Sequence, residues 1–360
     1  MNAAPLPPTD HDPAELVPSV AEGFRAAIAA ACAHLGATAP NPPVGCAILD
    51  RTGQVLVAAG HERAGQPHAE ALALRRLAEA GRLHEAATLL VTLEPCNHQG
   101  RTGPCTEAIL GSPVRTVWIG CADPNPHVRG HGAERLRAAG LAVRWLRHDA
   151  GAEQARLLRD CRALIAPFRR RVEDGRPWIT VKQALDASGG MVPPAGAKTF
   201  TGPAALHLAH RLRRCTDAVV TGTGTVRADR PHFTIRHLPD HPERRRLLAV
   251  LGQSPLPDGY AQDAAARGFD LRVVPSLDRL LPVLAEAGVL WAMVEAGPRL
   301  LDSLRAAGLW DDWLTITQAR TGADRLSVAR APDRDVSPLR LLPELRFLDP
   351  NQEDACSRAS

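Results

Sequence analysis

One histidine, one glutamate and two cysteines stand at spacings that suit a metal-dependent reaction. His68 and Glu70 lie in the segment PHAEA, directly after Pro67 and ahead of a helical pattern. Cys96 and Cys105 belong to the loop PCNHQGRTGPC, which follows a strand-like run of apolar residues. One neutral imidazole and two thiolates make a suitable three-donor zinc site, and they leave the fourth tetrahedral position open to water, as catalytic zinc sites do.

Glu70 supplies what a bound metal alone would lack. Zinc held in this way lowers the pKa of its water to roughly 7, but replacing an amino group on a ring carbon also requires a proton for the departing amine. Two residues after His68 at a helix start, Glu70 directs a carboxylate toward the same pocket without serving as a ligand. We therefore predict His68, Cys96 and Cys105 as the zinc ligands and Glu70 as the catalytic acid and base.

Two less specific interpretations of these residues remain open. The four residues could be unrelated structural positions in a long chain. Alternatively, the zinc could be structural, which usually requires four protein ligands, and His98 would be the natural fourth donor. Pro67 at a helix start and Pro95 before Cys96 at the end of a strand favour a catalytic site.

Composition and charge exclude several other classes of protein. With 360 residues, 45% hydrophobic and 23% charged, the chain fits an ordinary soluble protein of two domains. The net charge of +4 is small, and no run of Lys or Arg is long enough for a nucleic-acid-binding stripe. The sequence has neither a signal-peptide pattern nor an apolar run long enough to span a membrane, so we predict a cytoplasmic location. The eight cysteines lack the spacing of a disulfide framework.

The order of helical and strand-like patterns predicts two α/β domains. Helical patterns alternate with apolar runs in each half, which indicates largely parallel sheets. The run DAVVTGTGTV is strand-like, and the last thirty residues carry little pattern. We predict a disordered tail over residues 1–20, a first domain over 21–149, a connector over 150–175 and a second domain over 176–350.

The zinc motif resembles that of a known enzyme family. His-Ala-Glu followed by Pro-Cys and a second cysteine is similar to the signature of zinc-dependent cytidine-type deaminases, whose cysteines are usually two residues apart. Here eight residues separate Cys96 from Cys105. That longer loop, with PNPPVG at 40–45 and DPNPHVRG at 123–130, resembles the deaminase half of the bifunctional riboflavin-biosynthesis deaminase/reductase family.

The resemblance implies a fold and a pair of reactions. The implied fold is α/β, with an N-terminal cytidine-deaminase-like three-layer domain and a C-terminal dihydrofolate-reductase-like domain. The implied chemistry is zinc-dependent hydrolytic deamination of 2,5-diamino-6-(5-phosphoribosylamino)pyrimidin-4-one, then NADPH-dependent reduction of the ribosyl group to ribityl. Zn2+ and NADPH are the implied cofactors. The matching positions for substrate contacts in the deaminase domain are Asn41, His61, His98 and Arg101.

Three stretches of the second half also resemble the family: RPWITVK at 176–182, DAVVTGTGTVRAD at 217–229 and VEAGPRLLDSL at 294–304. From the residues alone, a strand ending at Glu295 and a turn through Gly297 into a helix would offer backbone N–H groups to a phosphate. An ordinary strand-to-helix turn explains that pattern equally well. Gly222 with Gly224 is only a weak dinucleotide signature.

The resemblance extends to individual positions of the reductase half. It implies substrate contacts by Arg213, Phe233, Arg236 and Glu295. It implies cofactor contacts by Ala184, Thr225, Asp229, Gly297, Pro298, Arg299, Leu300, Leu301, Asp302 and Ser303.

The reductase half also departs from the family pattern. Asp186 and Ser188 exchange the usual serine and aspartate, Thr199-Phe200 replaces Trp-Ile, and Arg230 replaces an aspartate. A carboxylate at position 186 near a phosphate would add like-charge repulsion. On this basis we expect the fold to be retained, and two outcomes stay open for the reductase: a weakened activity, or an activity in which serine and aspartate at position 186 are interchangeable.

Two alternative functions fit the same zinc motif. One is a nucleoside or nucleic-acid base deaminase with a scaffolding second domain, although aromatic residues at 4% and the lack of a basic face disfavour strand binding. The other is a non-catalytic, zinc-stabilised nucleotide-binding module. We favour a homo-oligomeric enzyme for a small phosphorylated pyrimidine, with neither nucleic acid nor membrane as partner.

Overall fold

The computed structural model describes residues 16–98, 103–126, 128–191, 199–319 and 321–345. The chain divides into two compact units. The first unit contains the chain up to Ala31, Val44–Gly60 and Pro67–Arg162. The second contains Cys32–Pro43, His61–Gln66 and the chain from Ala163 onward.

The first unit is built on a five-stranded mixed sheet in the order β2-β1-β3-β4-β5. Strand β1 pairs antiparallel with β2 and β3, and the β3, β4 and β5 strands run parallel. The elements are α1 Pro18–Cys32, β1 Gly45–Leu49, β2 Val55–Gly60, α2 Ala69–Glu79, β3 Thr88–Leu93, α3 Cys105–Leu110, β4 Thr116–Cys121, α4 His131–Ala138 and β5 Ala142–Trp145.

Helices cover both faces of this sheet, which gives three layers. Strand β1 is buried throughout, as is nearly all of β3 and β4, so their sequences are continuous apolar runs. Helices α2, α3 and α4 pack in one core cluster with Ile48 and Val91. On the opposite face α1 lies close to the sheet, since a Cβ built on Gly23 would be 3.0 Å from Leu90 Cδ1.

The second unit is built on a seven-stranded sheet in the order β12-β11-β6-β10-β7-β8-β9. Among the described residues, β12 is its one antiparallel strand. The long helix α5 Ala152–Asp174 contributes to both units, which divide after Arg162. The elements that follow it are β6 Trp178–Leu185, α6 Pro203–Cys215, β7 Ala218–Gly222, α7 Thr223–Asp229, β8 Arg246–Leu251, α8 Tyr260–Ala266, β9 Phe269–Val274, α9 Leu280–Glu286, β10 Trp291–Val294, α10 Pro298–Ala306, β11 Asp312–Thr317 and β12 Arg325–Arg330.

One local prediction differs from the structure. The strand-like run DAVVTGTGTV splits, because β7 ends at Gly222 and the following residues form α7. Gly252 packs against the start of α7, since a Cβ built on it would lie 2.4 Å from Thr223 Oγ1. Beyond Thr317 the chain forms β12, whose residues alternate between exposed and half-buried along β11.

No helix within the described parts of the chain combines the length and apolar character needed to cross a bilayer.

Candidate active sites

The predicted zinc donors meet at one place in the first unit. His68 immediately precedes α2, Cys96 follows β3, and Cys105 is the first residue of α3. His68 Nδ1 lies 3.3 Å from Cys105 Sγ and 3.5 Å from Cys96 Sγ. All three donor atoms lie within 4.8 Å of one another, a spacing that one ion bound to a nitrogen and two sulfurs would span.

Local hydrogen bonds hold the cysteine loop in this arrangement. The Cys105 N–H donates to Cys96 Sγ at 3.4 Å, and the Thr106 N–H donates to the Cys96 carbonyl at 3.2 Å. Thr106 Oγ1 also donates to Asn97 Oδ1 at 2.8 Å. These bonds bring the first turn of α3 against the end of β3, so the two sulfurs converge although eight residues separate them.

Glu70 lies in the first turn of α2 beside the three donors and is only 3% exposed. Its carboxylate contacts the Cys105 side chain, while the cluster of donor atoms comprises only His68 and the two cysteines. Burial raises the pKa of Glu70, the negative charge of Cys96 raises it further, and His68 opposes the change. A carboxyl group in this position can hold a proton next to the site.

The three predicted zinc donors are hydrogen-bonded to one another, and these bonds change the pKa of each. Hydrogen bonding from Cys105 and His68 lowers the pKa of Cys96 to about 4 despite its partial burial. The hydrogen bond with Cys96 raises the pKa of His68, and the same kind of bond together with burial raises the pKa of Cys105. The low pKa favours the thiolate form of Cys96, and binding a cation would require Cys105 to lose its proton as well, because thiolate is the ligand form of cysteine.

The predicted substrate residues of the deaminase fall in different places. Asn41 and His61 both belong to the second unit, where Asn41 Nδ2 lies 3.3 Å from His61 Nε2. His98 is exposed on the cysteine loop and is not among the clustered donors, which disfavours a four-ligand structural zinc. Arg101 lies outside the described residues.

Glu94, which links the end of β3 to the start of α4 beside the cysteine loop, was not predicted from the sequence. This residue is 4% exposed at the end of β3, two positions before Cys96. Its two carboxylate oxygens accept hydrogen bonds from Gly130 N at 3.0 Å and Ala133 N at 3.2 Å, at the start of α4. A glutamate placed directly after a largely apolar strand-like run was the available signal.

The second unit contains a buried ionic cluster around Glu295. Arg213 binds both carboxylate oxygens, with Nη2 at 2.9 Å from Oε2, and Lys182 Nζ lies 3.2 Å from Oε2. Burial opposes ionisation of Glu295, but Arg213 and Lys182 outweigh it and lower the pKa to about 2. Arg213 and Glu295 are thus paired with each other, and Lys182 completes a cluster that the predicted contacts did not include.

The other predicted reductase substrate residues lie near this cluster. The Arg213 guanidinium is 5.8 Å from the centre of the Phe233 ring, and its Nη1 donates to the Thr234 carbonyl at 3.2 Å. Arg236 has an exposed side chain, and its backbone N–H donates to His210 Nδ1 at 3.1 Å. The structure therefore brings Arg213, Phe233 and Glu295 together, and Arg236 follows Phe233 in the same segment of the chain.

The predicted cofactor turn has fewer free N–H groups than the sequence suggests. The Gly297 N–H donates to Thr225 Oγ1 at 3.1 Å, and the N–H groups of Leu300 and Leu301 donate to the Gly297 carbonyl. Pro298 has no N–H, so Arg299 provides the remaining donor of this turn. The other predicted cofactor positions differ in their surroundings. Leu301 lies in the core, and Ser303 Oγ donates to the Arg299 carbonyl. Asp229 and Asp302 are exposed, and Ala184 pairs with Ile316 in the sheet.

The surface beside this turn suits a dinucleotide. Adjacent parallel strands β7 and β10 end here, at the carboxyl edge of the sheet where α/β proteins bind ligands. A Cβ on Gly224 would meet nothing within 4 Å, and one on Gly297 would lie 3.6 Å from Thr225 Oγ1. The backbone at this edge is therefore open to a ligand, as NADPH would require.

Asp186 is occupied by its own turn. Its Oδ1 accepts hydrogen bonds from the Ser188 N–H, the Ser188 hydroxyl and the Gly190 N–H, each between 2.7 and 2.8 Å. The Ser188 hydroxyl, together with these backbone donors, lowers the pKa of Asp186. The carboxylate thus closes the turn after β6 in place of the family's usual residues.

The two units together define a class of protein, a zinc-binding deaminase domain joined to a reductase domain. Residues 20–121 match the cytidine and deoxycytidylate deaminase zinc-binding region, and residues 177–321 match the RibD C-terminal domain. The riboflavin biosynthesis protein RibD of Aquifex aeolicus is 34% identical over 85% of this chain and 88% of its own length. The corresponding protein of Corynebacterium ammoniagenes is 34% identical over 84% and 87%. The chain belongs to the RibD family of riboflavin biosynthesis proteins.

Solved structures agree with this relationship. Acinetobacter baumannii RibD superposes with a TM-score of 0.67 at 30% identity, covering 84% of this chain and 88% of that one. A Thermotoga maritima diaminohydroxyphosphoribosylaminopyrimidine deaminase/5-amino-6-(5-phosphoribosylamino)uracil reductase gives 0.70 at 26% identity, covering 85% and 89%. The predicted family and fold class are confirmed, and so is the enzyme class, a zinc-dependent deaminase with an NADPH-dependent reductase in riboflavin biosynthesis.

Proposed function

We propose that the first unit deaminates 2,5-diamino-6-(5-phosphoribosylamino)pyrimidin-4-one and that the second reduces the ribosyl group of the product to ribityl. The observation that carries the proposal is the buried Glu70 carboxylate beside the His68, Cys96 and Cys105 donors. The named activities of the Thermotoga maritima relative support this substrate pair.

In the deamination, water replaces the amino group and ammonia leaves. His68, Cys96 and Cys105 would hold the zinc, which would supply the Lewis acid that activates the water. Glu70 takes the proton that the water loses and passes it to the substrate nitrogen, so the carboxylate ends the cycle unchanged. Its burial and its contact with Cys105 hold it where that transfer occurs.

Recognition of the pyrimidine falls to residues with paired donors and acceptors. Asn41 offers an amide N–H and a carbonyl to a pyrimidinone edge, and His61 lies within hydrogen-bonding distance of that amide. His98 and Arg101, on the cysteine loop in sequence, are proposed contacts for the ribose phosphate side of the substrate.

In the reduction, hydride adds to ribose C1, the bond from C1 to the ring oxygen breaks, and that oxygen takes a proton. NADPH supplies the hydride. Glu295 fixes the positions of Lys182 and Arg213, and Lys182 keeps further N–H donors for the ribosyl oxygens. Arg236, with its exposed guanidinium, is the proposed phosphate contact.

The turn formed by Asp186 supports an active reductase. Three hydrogen bonds to Oδ1 hold the carboxylate within its own turn, so Asp186 has a structural role there. We therefore propose that the exchange of Asp186 and Ser188 preserves the turn rather than marking a lost activity.

Location and assembly are further parts of the proposal. We propose a cytoplasmic homo-oligomer that binds neither nucleic acid nor membrane, consistent with the small net charge of +4. The domain limits proposed from the sequence, 21–149 and 176–350, can be tested by limited proteolysis.

Replacing Glu70 with Gln tests the proposal. Glu70→Gln should keep the zinc content of the wild type and lower ammonia release by at least about 10²-fold, because the amide cannot carry the proton. Ammonia release and NADPH oxidation are followed separately, the latter with deaminated substrate, which the variant should still reduce. Substantial ammonia release by a zinc-loaded variant would contradict the role of Glu70.

A further inference from the structure

The segment from Pro231 to His237 has an irregular backbone that the surrounding structure holds in place. It lies between α7 and β8 and contains no helix or strand. Phe233 has a positive φ of 54°, and the preceding Arg230 has one of 42°. Non-glycine residues adopt this conformation at a cost, and it persists where neighbouring contacts impose it, often at functional sites.

Three side chains from regular elements bind the backbone of this segment. Tyr260 Oη donates to the Pro231 carbonyl at 2.7 Å, at the start of α8. Arg213 Nη1 donates to the Thr234 carbonyl at 3.2 Å. His210 Nδ1 accepts the Arg236 N–H at 3.1 Å. The segment is therefore fastened at its beginning, middle and end.

His210 is the anchor next to the proposed phosphate contact. It lies on α6, three residues before Arg213, and is 2% exposed. Its ring meets the His237 ring edge to face at 4.5 Å between centres. Because Nδ1 accepts a hydrogen bond, the proton of the neutral ring is on Nε2. Burial and the charge of Arg213 lower the pKa of His210 to about 4, which keeps the ring neutral and able to accept.

We infer that His210 is a positioning residue of the reductase, which fixes the segment 231–237 so that Phe233 packs on Arg213 and Arg236 is held ready for the substrate. This inference rests on the proposed function, in which Arg213, Phe233 and Arg236 belong to the substrate site. His210 itself is shielded from solvent and acts through the Arg236 backbone. Its loss should impair binding of the phosphorylated substrate more than binding of NADPH.

Two variants separate the hydrogen bond from the packing of the ring. His210→Leu removes the acceptor, and His210→Asn retains an uncharged acceptor near the position of Nδ1. We expect His210→Leu to raise the KM for the phosphorylated, deaminated substrate about tenfold, with the KM for NADPH changed less than about twofold. His210→Asn should recover a large part of this loss. Ammonia release should match the wild type in both variants.

His207 provides a matched control on the same helix. Its Nε2 lies 3.0 Å from Arg211 Nη2, and it makes no contact with the segment 231–237 among the described hydrogen bonds. His207→Leu should leave both KM values unchanged. The inference would be overturned if His210→Leu lowered kcat and raised both KM values by similar factors, and if His210→Asn restored none of them. His210 would then be a residue that stabilises the domain in general.

A second measurement decides the inference without turnover. Amide hydrogen exchange at Arg236, whose N–H donates to His210 Nδ1, should be slow in the wild type and His210→Asn and fast in His210→Leu. Unchanged protection in His210→Leu would contradict the positioning role. If the wild type fails to oxidise NADPH with the pyrimidine substrate, the proposed function fails, and hydrogen exchange still tests whether His210 holds the segment.

Discussion

Two buried glutamates show how their neighbours, rather than burial alone, set the chemistry of a residue. Glu70 and Glu295 are 3% and 9% exposed. Burial raises the pKa of Glu70, and the adjacent Cys96 adds to the effect. At Glu295, Arg213 and Lys182 overcome the same penalty and lower the pKa to about 2. Glu70 is therefore suited to carry a proton, while Glu295 remains an anion that organises cations.

Asp312 gives a residue-scale prediction about stability and pH. Its side chain is fully buried, and Oδ2 accepts hydrogen bonds from Trp178 Nε1 at 2.8 Å and Ser337 Oγ at 2.7 Å. Burial, with a contribution from Asp311, raises the pKa of Asp312 to about 7. The folded protein therefore binds this proton more tightly than the unfolded chain does, and stability should fall as pH rises from about 4 to about 7.

Asp312→Asn should remove this pH-dependent contribution while keeping an acceptor for Trp178 and Ser337. The measurement is the denaturant midpoint of both proteins between about pH 4 and pH 8. Relative to Asp312→Asn, the wild type should lose stability through this window and reach a plateau above it. Asp278→Asn, at an exposed position, is the control and should run parallel to the wild type. If the stability of Asp312→Asn changed with pH in parallel with that of the wild type, the raised pKa of Asp312 would be contradicted.

At the scale of elements, apolar runs and breaks predicted most strands, whereas turns depended on distant contacts. Strands β6 and β10 were visible as WITVK and WAMV because both faces of a parallel sheet are covered. The run after Gly222 has two β-branched threonines, so its composition favoured a strand. In the structure these residues form α7, with Gly252 packed against Thr223 at its start, and no local pattern reports that contact.

Glu94 gives a prediction at the scale of a helix and the loop it supports. Its carboxylate satisfies two N–H groups at the start of α4, and Cys96 follows two residues later. Glu94→Ala would leave those donors without their acceptor, so we expect a loss of about 1–2 kcal/mol in the free energy of unfolding. Because the support of the loop is also lost, zinc affinity should fall about tenfold.

Competition with a metal chelator measures the zinc affinity, and denaturant unfolding measures stability. Glu94→Gln keeps one acceptor and should fall between Glu94→Ala and the wild type in both measurements. Glu134→Ala serves as the control, because Glu134 is exposed in the first turn of α4. Wild-type zinc affinity in Glu94→Ala would show that the cysteine loop holds its geometry without this cap.

At the scale of the whole molecule, short motifs in the sequence identified the candidate zinc donors, whereas the long-range assembly left no signal in the sequence. His68, Cys96 and Cys105 belong to short motifs whose chemistry is specific. In contrast, residues 32–43 and 61–66 belong to the second unit although they lie far from it in sequence. Long-range contacts tie these residues to the second unit; for example, His241 Nε2 lies 2.7 Å from the Leu35 carbonyl. The spacing of residues along the chain cannot reveal such contacts.

The division into units predicts that zinc removal separates the two reactions. Every zinc donor and Glu70 lie in the first unit, whereas Lys182, Arg213 and Glu295 lie in the second. The two sets share no residue, so a perturbation of one should affect the other little. Treatment with a zinc chelator should therefore reduce ammonia release to background, while NADPH oxidation with deaminated substrate stays within about twofold of the untreated rate.

Added zinc should restore ammonia release in the wild type but not in Cys105→Ser, which lacks one of the two thiolate donors. Cys215→Ser, at a buried cysteine of α6 distant in sequence from the loop, controls for general effects of cysteine replacement. Loss of NADPH oxidation in step with zinc, restored together with ammonia release, would show that the reductase depends on the metal. The ionic cluster around Glu295 is made entirely of side chains from the second unit. We therefore expect the reductase activity to survive zinc removal.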